Sequence, residues 1–145
     1  MLHQPAFLRT ATPQPDMLDS AGQRIALLGL DLSGLTVITE AATGYYASTA
    51  VIAALAGARR VFALARGTAH HGSAEEAAAA TLSLAGKAGM KDRVAVIERI
   101  EDAHLAACDV LTNTGHLRPI TRAMIQHLRG ARQTRAGCAV GAVLG

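Results

Sequence analysis

Short unbroken apolar runs alternate along this chain with longer stretches whose apolar residues recur at helical spacing. Leu35-Thr-Val-Ile-Thr39 is a β-branched apolar run, and Thr43-Gly44 beyond it is a turn signal. Residues 47–56 are Ala-rich, with Val51, Ile52 and Leu55 on one helical face, and Gly57 stops that helix. Val61–Leu64 is a second apolar run. Strand, tight loop, helix and strand with brief connections predict the βαβ unit of a parallel sheet. In such sheets ligands bind beyond the carboxyl ends of the strands, which places a site at residues 39–46 and 65–72.

The pattern continues on both sides of this unit. Residues 1–15 hold Pro5, Pro13 and Pro15 with little periodicity and read as a flexible arm. Asp16 caps a helix to about Leu30, with Leu18, Ile25 and Leu28 on its apolar side. Arg66–Gly72 is a polar loop containing His70-His71, a pair expected to be solvated. Ser73-Ala-Glu-Glu76 fits a capping box for a helix from Ala74 to about Ala88. Arg93–Glu98 reads as a third strand, Glu101–Ala107 as a short helix, and Asp109–Thr112 as a fourth strand. Thr121 caps a last helix to Leu128 with Met124, Ile125 and Leu128 apolar. Cys138–Leu144 is a weak strand weakened by its glycines, in a tail that looks truncated.

Composition narrows the class. The 145 residues suit one domain with one real core, and half of them are apolar. With no Trp and few other aromatics, that core must be built from Ala, Leu, Val and Ile. A net charge of +3 without a basic cluster or stacking aromatics speaks against nucleic acid as a partner. Cys108 and Cys138 have no metal-ligand spacing and read as buried or incidental thiols. No apolar run reaches the roughly 18 residues of a membrane span, and the N-terminus lacks a signal-peptide pattern, so no membrane partner and a cytoplasmic location are expected.

Residues 35–128 resemble the nucleotide-binding domain of Rossmann-type enzymes, and two branches compete. Cys108-Asp-Val-Leu-Thr-Asn-Thr-Gly-His116, followed by Pro119–Leu128, is similar to the late strand, loop and helix of the NAD(P)-binding domain of hydroxyacid dehydrogenases and adenosylhomocysteine hydrolase. That resemblance puts Thr112, Asn113 and Gly115 beside a nicotinamide. At the spacing of the Gly-x-Gly-x-x-Gly fingerprint this chain offers Thr39, Ala41 and Gly44. The other branch is the class I S-adenosylmethionine-dependent methyltransferases. In their acidic-x-Gly-x-Gly-x-Gly motif, Glu40, Ala42, Gly44 and Tyr46 occupy the four places.

These residues carry opposite implications. A carboxylate at Glu40 repels a pyrophosphate but can hold the amino group of adenosylmethionine. Arg66 stands where both families often place an acid for ribose hydroxyls, and a guanidinium there can pair with the 2′-phosphate of NADP. The backbone at Thr43-Gly44 is where a ligand would approach. His116, between Asn113 and Arg118, is the candidate for proton exchange near neutral pH. No Ser/His/Asp set, paired carboxylates or phosphate-cradling Gly-Lys-Ser is present.

The expectation is therefore an α/β, Rossmann-like three-layer fold with a mostly parallel sheet over residues 16–130, between the arm at 1–15 and an irregular tail at 131–145. The expected function is binding of a small-molecule cofactor, NADP or NAD, in an oxidoreductase-like protein. S-adenosylmethionine in a methyltransferase is the alternative, and a degenerate, non-enzymatic Rossmann-fold module is the third. A homodimer is left open.

Overall fold

A computed structural model describes residues 15–69, 72–114, 117–129 and 143–144. The arm up to residue 14, the pairs His70-His71 and Gly115-His116, and most of the tail including Cys138 lie outside the described residues. Helix α1 spans Pro15–Leu28, β1 Thr36–Ala41, α2 Ser48–Leu55 and β2 Arg60–Ala65. Then follow α3 at Ala74–Lys87, β3 at Val94–Ile97, α4 at Asp102–Ala107, β4 at Val110–Thr112, α5 at Arg122–His127 and β5 at Val143–Leu144. The strands form one five-stranded sheet in the order β3-β2-β1-β4-β5. All four neighbouring pairs run parallel, with Thr36 opposite Arg60, Val61 opposite Val94 and Val37 opposite Val110.

The chain builds the sheet outward from β1 to β3, then returns to the far side of β1 for β4. Crossovers that keep one hand must change face when the direction reverses. The core shows this change. Val51, Ala54, Leu84 and Ala85, from α2 and α3, pack with Val37, Val61 and Val110 on one face. Leu105 of α4, together with Leu117, Leu128 and the half-buried Met124, packs with Ile38, Leu64 and Leu111 on the other. The result is a three-layer α/β/α fold, and the switch point lies between β1 and β4.

Local chemistry sets the element ends. Ser73 accepts the Glu76 N–H at 3.1 Å while the Glu76 carboxylate accepts the Ser73 N–H at 2.8 Å, so the capping box that starts α3 is complete. Gly57 ends the α2 segment at φ +100°, and a β-carbon there would meet the Ser33 side chain at 2.8 Å. Thr121 accepts the Met124 N–H at 3.2 Å and caps α5.

Three expectations need correction. Leu28 is not on the buried side of α1: Leu27 and Leu28 are 85% and 79% exposed, and α1 holds the core through Met17 and Leu18. Ile125 is exposed, so α5 packs through Met124 and the adjoining Leu128. The first strand runs on through Glu40 and Ala41, because Ala41 has a paired partner in Ala65.

Candidate functional site

The carboxyl ends of β1, β2 and β4 converge with the loops that follow them. Strand alternation puts Thr39 and Thr112 on the α2–α3 face, and Glu40 on the opposite face beside Leu64. The Thr112 hydroxyl donates to Thr39 Oγ1 at 2.9 Å, which uses its single proton. Thr114 Oγ1, 3.0 Å from Thr112 Oγ1, is therefore the donor in that contact. This chain of hydroxyls ties the ends of β1 and β4 together across the switch point. Glu40 is buried at 2% exposure, and no buried side-chain nitrogen or oxygen among the described residues lacks a hydrogen-bond partner.

The loop from β1 to α2 is held from behind. Thr81 of α3, fully buried, accepts the Ala42 N–H at 3.2 Å and donates to the Ala42 carbonyl at 3.3 Å. Thr43 is extended, Gly44 takes φ +60°, and residues Gly44–Ala47 form one 3-10 turn before α2. A β-carbon at Gly44 would meet nothing within 4 Å, so the space above this glycine is open. Gly44 is needed for its left-handed conformation, and the same position leaves room for a ligand. Tyr45 and Tyr46, directly after it, are each 64% exposed.

On the α4–α5 face a cavity of about 320 Å³ opens beyond the ends of β2 and β3. Leu64, Leu105, Leu117 and Met124 give it an apolar floor, and Arg66, Arg99, Arg118, Asp102 and His127 also line it. Three guanidinium groups against the carboxylates of Asp102 and of Glu101, the partner of Arg99, leave this lining cationic. Arg99 pairs with Glu101 at 2.9 Å in an exposed contact. His127 Nδ1 lies 2.6 Å from the Ala123 carbonyl, which only accepts, so Nδ1 carries a proton and Nε2 is the acceptor of the neutral ring.

Cys108 is buried with its Sγ 3.0 Å from the Val110 carbonyl, and burial pushes its thiol up to about 12, far from the reactive range. Among the described residues no group of three or more His, Cys, Asp or Glu is placed to hold a metal ion. No helix among them is long and apolar enough to cross a membrane.

The expected site residues thus fall into two groups at the carboxyl ends of the strands. Glu40, Ala42, Thr43, Gly44, Thr112 and Asn113 surround the switch point, while Arg66 lines the cavity on its β2 side. His116 and Gly115 lie outside the described residues. Sequence reasoning missed Arg99, Arg118 and His127. Arg99 had a usable signal, since it follows β3 much as Arg66 follows β2, and adjacent parallel strands bring such ends together. Comparison with protein-family models, curated proteins and solved structures returns no match.

Proposed function

We propose that the chain binds a phosphorylated dinucleotide, NADP in preference to NAD, as the cofactor of an oxidoreductase-like protein. The cavity beyond the ends of β2 and β3, lined by Arg66, carries this reading. Its volume of about 320 Å³ is at the small end of ligand sites, which suits one half of a dinucleotide. An apolar floor can receive a base while cationic lining attracts phosphate. For the remainder, a doubly wound strand order makes the switch point the expected place, and the space over Gly44 is open there. Arg66 is assigned to the 2′-phosphate and the backbone at Thr43-Gly44 to the diphosphate.

One observation favours S-adenosylmethionine as a second reading. Glu40 lies inside β1 and Ala42 just past its end, so an acidic-x-small-x-Gly series straddles the strand end and reaches Gly44 in the loop. The two readings part at Arg66. Charge-assisted hydrogen bonds contribute roughly 1.5–3 kcal/mol. Arg66→Ala should therefore weaken NADP about ten- to hundredfold, at 1.4 kcal/mol per decade, and leave NAD nearly unchanged. Titration calorimetry of both proteins with NADP, NAD and adenosylmethionine is the test. If the unmodified chain binds adenosylmethionine and neither dinucleotide, the methyltransferase reading replaces the first.

A further inference from the structure

Tyr45 and Tyr46 are the two tyrosines of a chain that has no tryptophan, and they are adjacent. Each is 64% exposed, although aromatic side chains usually bury most of their surface. They sit in the 3-10 turn at the carboxyl end of β1, directly after Gly44 and the open space above it. Their backbone is not loose. Ser48 Oγ donates to the Tyr45 carbonyl at 2.6 Å, and Ala47, the last residue of the same turn, is buried in the core. Thr81 fixes Ala42 at the start of the same loop. Two exposed rings on a fixed base, each with only two side-chain torsions, lose little entropy when they receive a flat ligand group.

We infer that Tyr45 and Tyr46 form a stacking platform for a planar heteroaromatic ring of the nucleotide bound at the switch point, an inference that rests on the nucleotide reading above. The contact is made by the faces of the rings, so the phenol hydroxyls are dispensable. Stacking of this kind is sequence-tolerant and contributes through ring area, so alanine at both positions should weaken binding about five- to hundredfold. Phenylalanine at both positions should keep the affinity.

The chain reports on this contact without a label, because all of its tyrosine emission arises at these two positions. The full chain is titrated with NADP while tyrosine emission is read, with free tyrosine amide as the control for absorbed light. Calorimetry measures affinity for the unmodified chain, Y45A/Y46A and Y45F/Y46F. Quenching that saturates with the calorimetric isotherm, loss of affinity in the alanine pair and retention in the phenylalanine pair are expected. Parallel titrations with 2′,5′-ADP and nicotinamide mononucleotide show which ring is stacked, since only one of them should reproduce the quenching. Calorimetric binding of NADP with unchanged emission and unchanged affinity in Y45A/Y46A overturns the platform and leaves the dinucleotide reading intact. Equal losses in the phenylalanine and alanine pairs overturn it in favour of hydroxyl contacts. No binding of any of these nucleotides overturns both. Should Y45A/Y46A fail to fold, emission from the unmodified chain and affinity of Y45F/Y46F still decide.

Discussion

Thr81 offers the sharpest perturbation, because one hydroxyl serves both backbone polar groups of one buried residue. Its Oγ1 accepts from the Ala42 N–H and donates to the Ala42 carbonyl, at 3.2 and 3.3 Å. Thr81 and Ala42 are 0% and 5% exposed, so water does not readily replace the hydroxyl. Thr81→Val keeps the shape and removes both bonds. Each bond contributes about 0.5–1.5 kcal/mol net, and a buried group left without its partner costs about 1–3 kcal/mol. The two distances are long for hydrogen bonds, which holds the sum to the lower part of that range. A loss of about 2–4 kcal/mol results. Thr81→Ser keeps the hydroxyl and removes a methyl, at a cost of about 1 kcal/mol. For 145 residues, with an unfolding entropy of about 2.1 cal/mol/K per residue, 1 kcal/mol shifts the midpoint by about 3 °C. Thermal unfolding followed by circular dichroism should therefore show valine lower by about 6–12 °C and serine by about 3 °C. A valine variant as stable as the serine variant would refute the clamp.

Two further predictions concern Gly44 and Cys108. Gly44→Asn tolerates the left-handed conformation and Gly44→Val does not, so valine should cost more stability than asparagine. Both side chains fill the space above the loop, and both should abolish nucleotide binding in calorimetry; retained binding would leave Gly44 a turn residue only. Burial raises the Cys108 thiol in the folded state from 9.0 to about 12, so its contribution is complete below pH 9 and is lost as pH rises toward 12. Urea-denaturation stability should fall by up to about 1.4 kcal/mol per pH unit in that window, and Cys108→Ala should remove this component; identical slopes in the two proteins would contradict the burial argument.

The sheet was legible because each of its first four strands is a compact apolar run bounded by a turn or cap signal. Ser73 and Thr121 cap helices as their side chains dictate, through bonds a few residues away in sequence. What was not legible depends on distant partners. Glu40 and Ala41 look like the end of a strand by their residue types, yet pairing with Leu64 and Ala65 extends β1 through both. The α1 periodicity could not show that only Met17 and Leu18 of its apolar residues reach the core cluster, leaving Leu27 and Leu28 outside. The candidate site divides in the same way. Gly44 and Arg66 are found from the βαβ unit alone. Arg118 and His127 join the cavity only because the chain changes face after β3 and brings α5 over the end of β2.

Where β1 ends also accounts for Thr39 and Ala41 standing at the first two places of the Gly-x-Gly-x-x-Gly spacing. Glycine is required where the backbone turns tightly or a second group approaches closely. Thr39 and Ala41, at the first two fingerprint places, are paired strand residues in register with Ala63 and Ala65, so neither makes a turn. Both are fully buried, and the Thr39 hydroxyl joins β1 to β4 through Thr112. The turn falls later, at Thr43 and Gly44, and there a positive φ is adopted by a glycine. One glycine therefore suffices for the path of this loop. In the dinucleotide reading proposed above, the closeness to a ligand that two further glycines would give falls to the small residue Ala42 and the open face of Gly44. On that proposal, side chains supply the recognition that a glycine-rich loop draws from its backbone. The candidates for that role stand beyond the carboxyl ends of the strands, in the exposed rings of Tyr45 and Tyr46 and in the guanidinium groups of Arg66, Arg99 and Arg118.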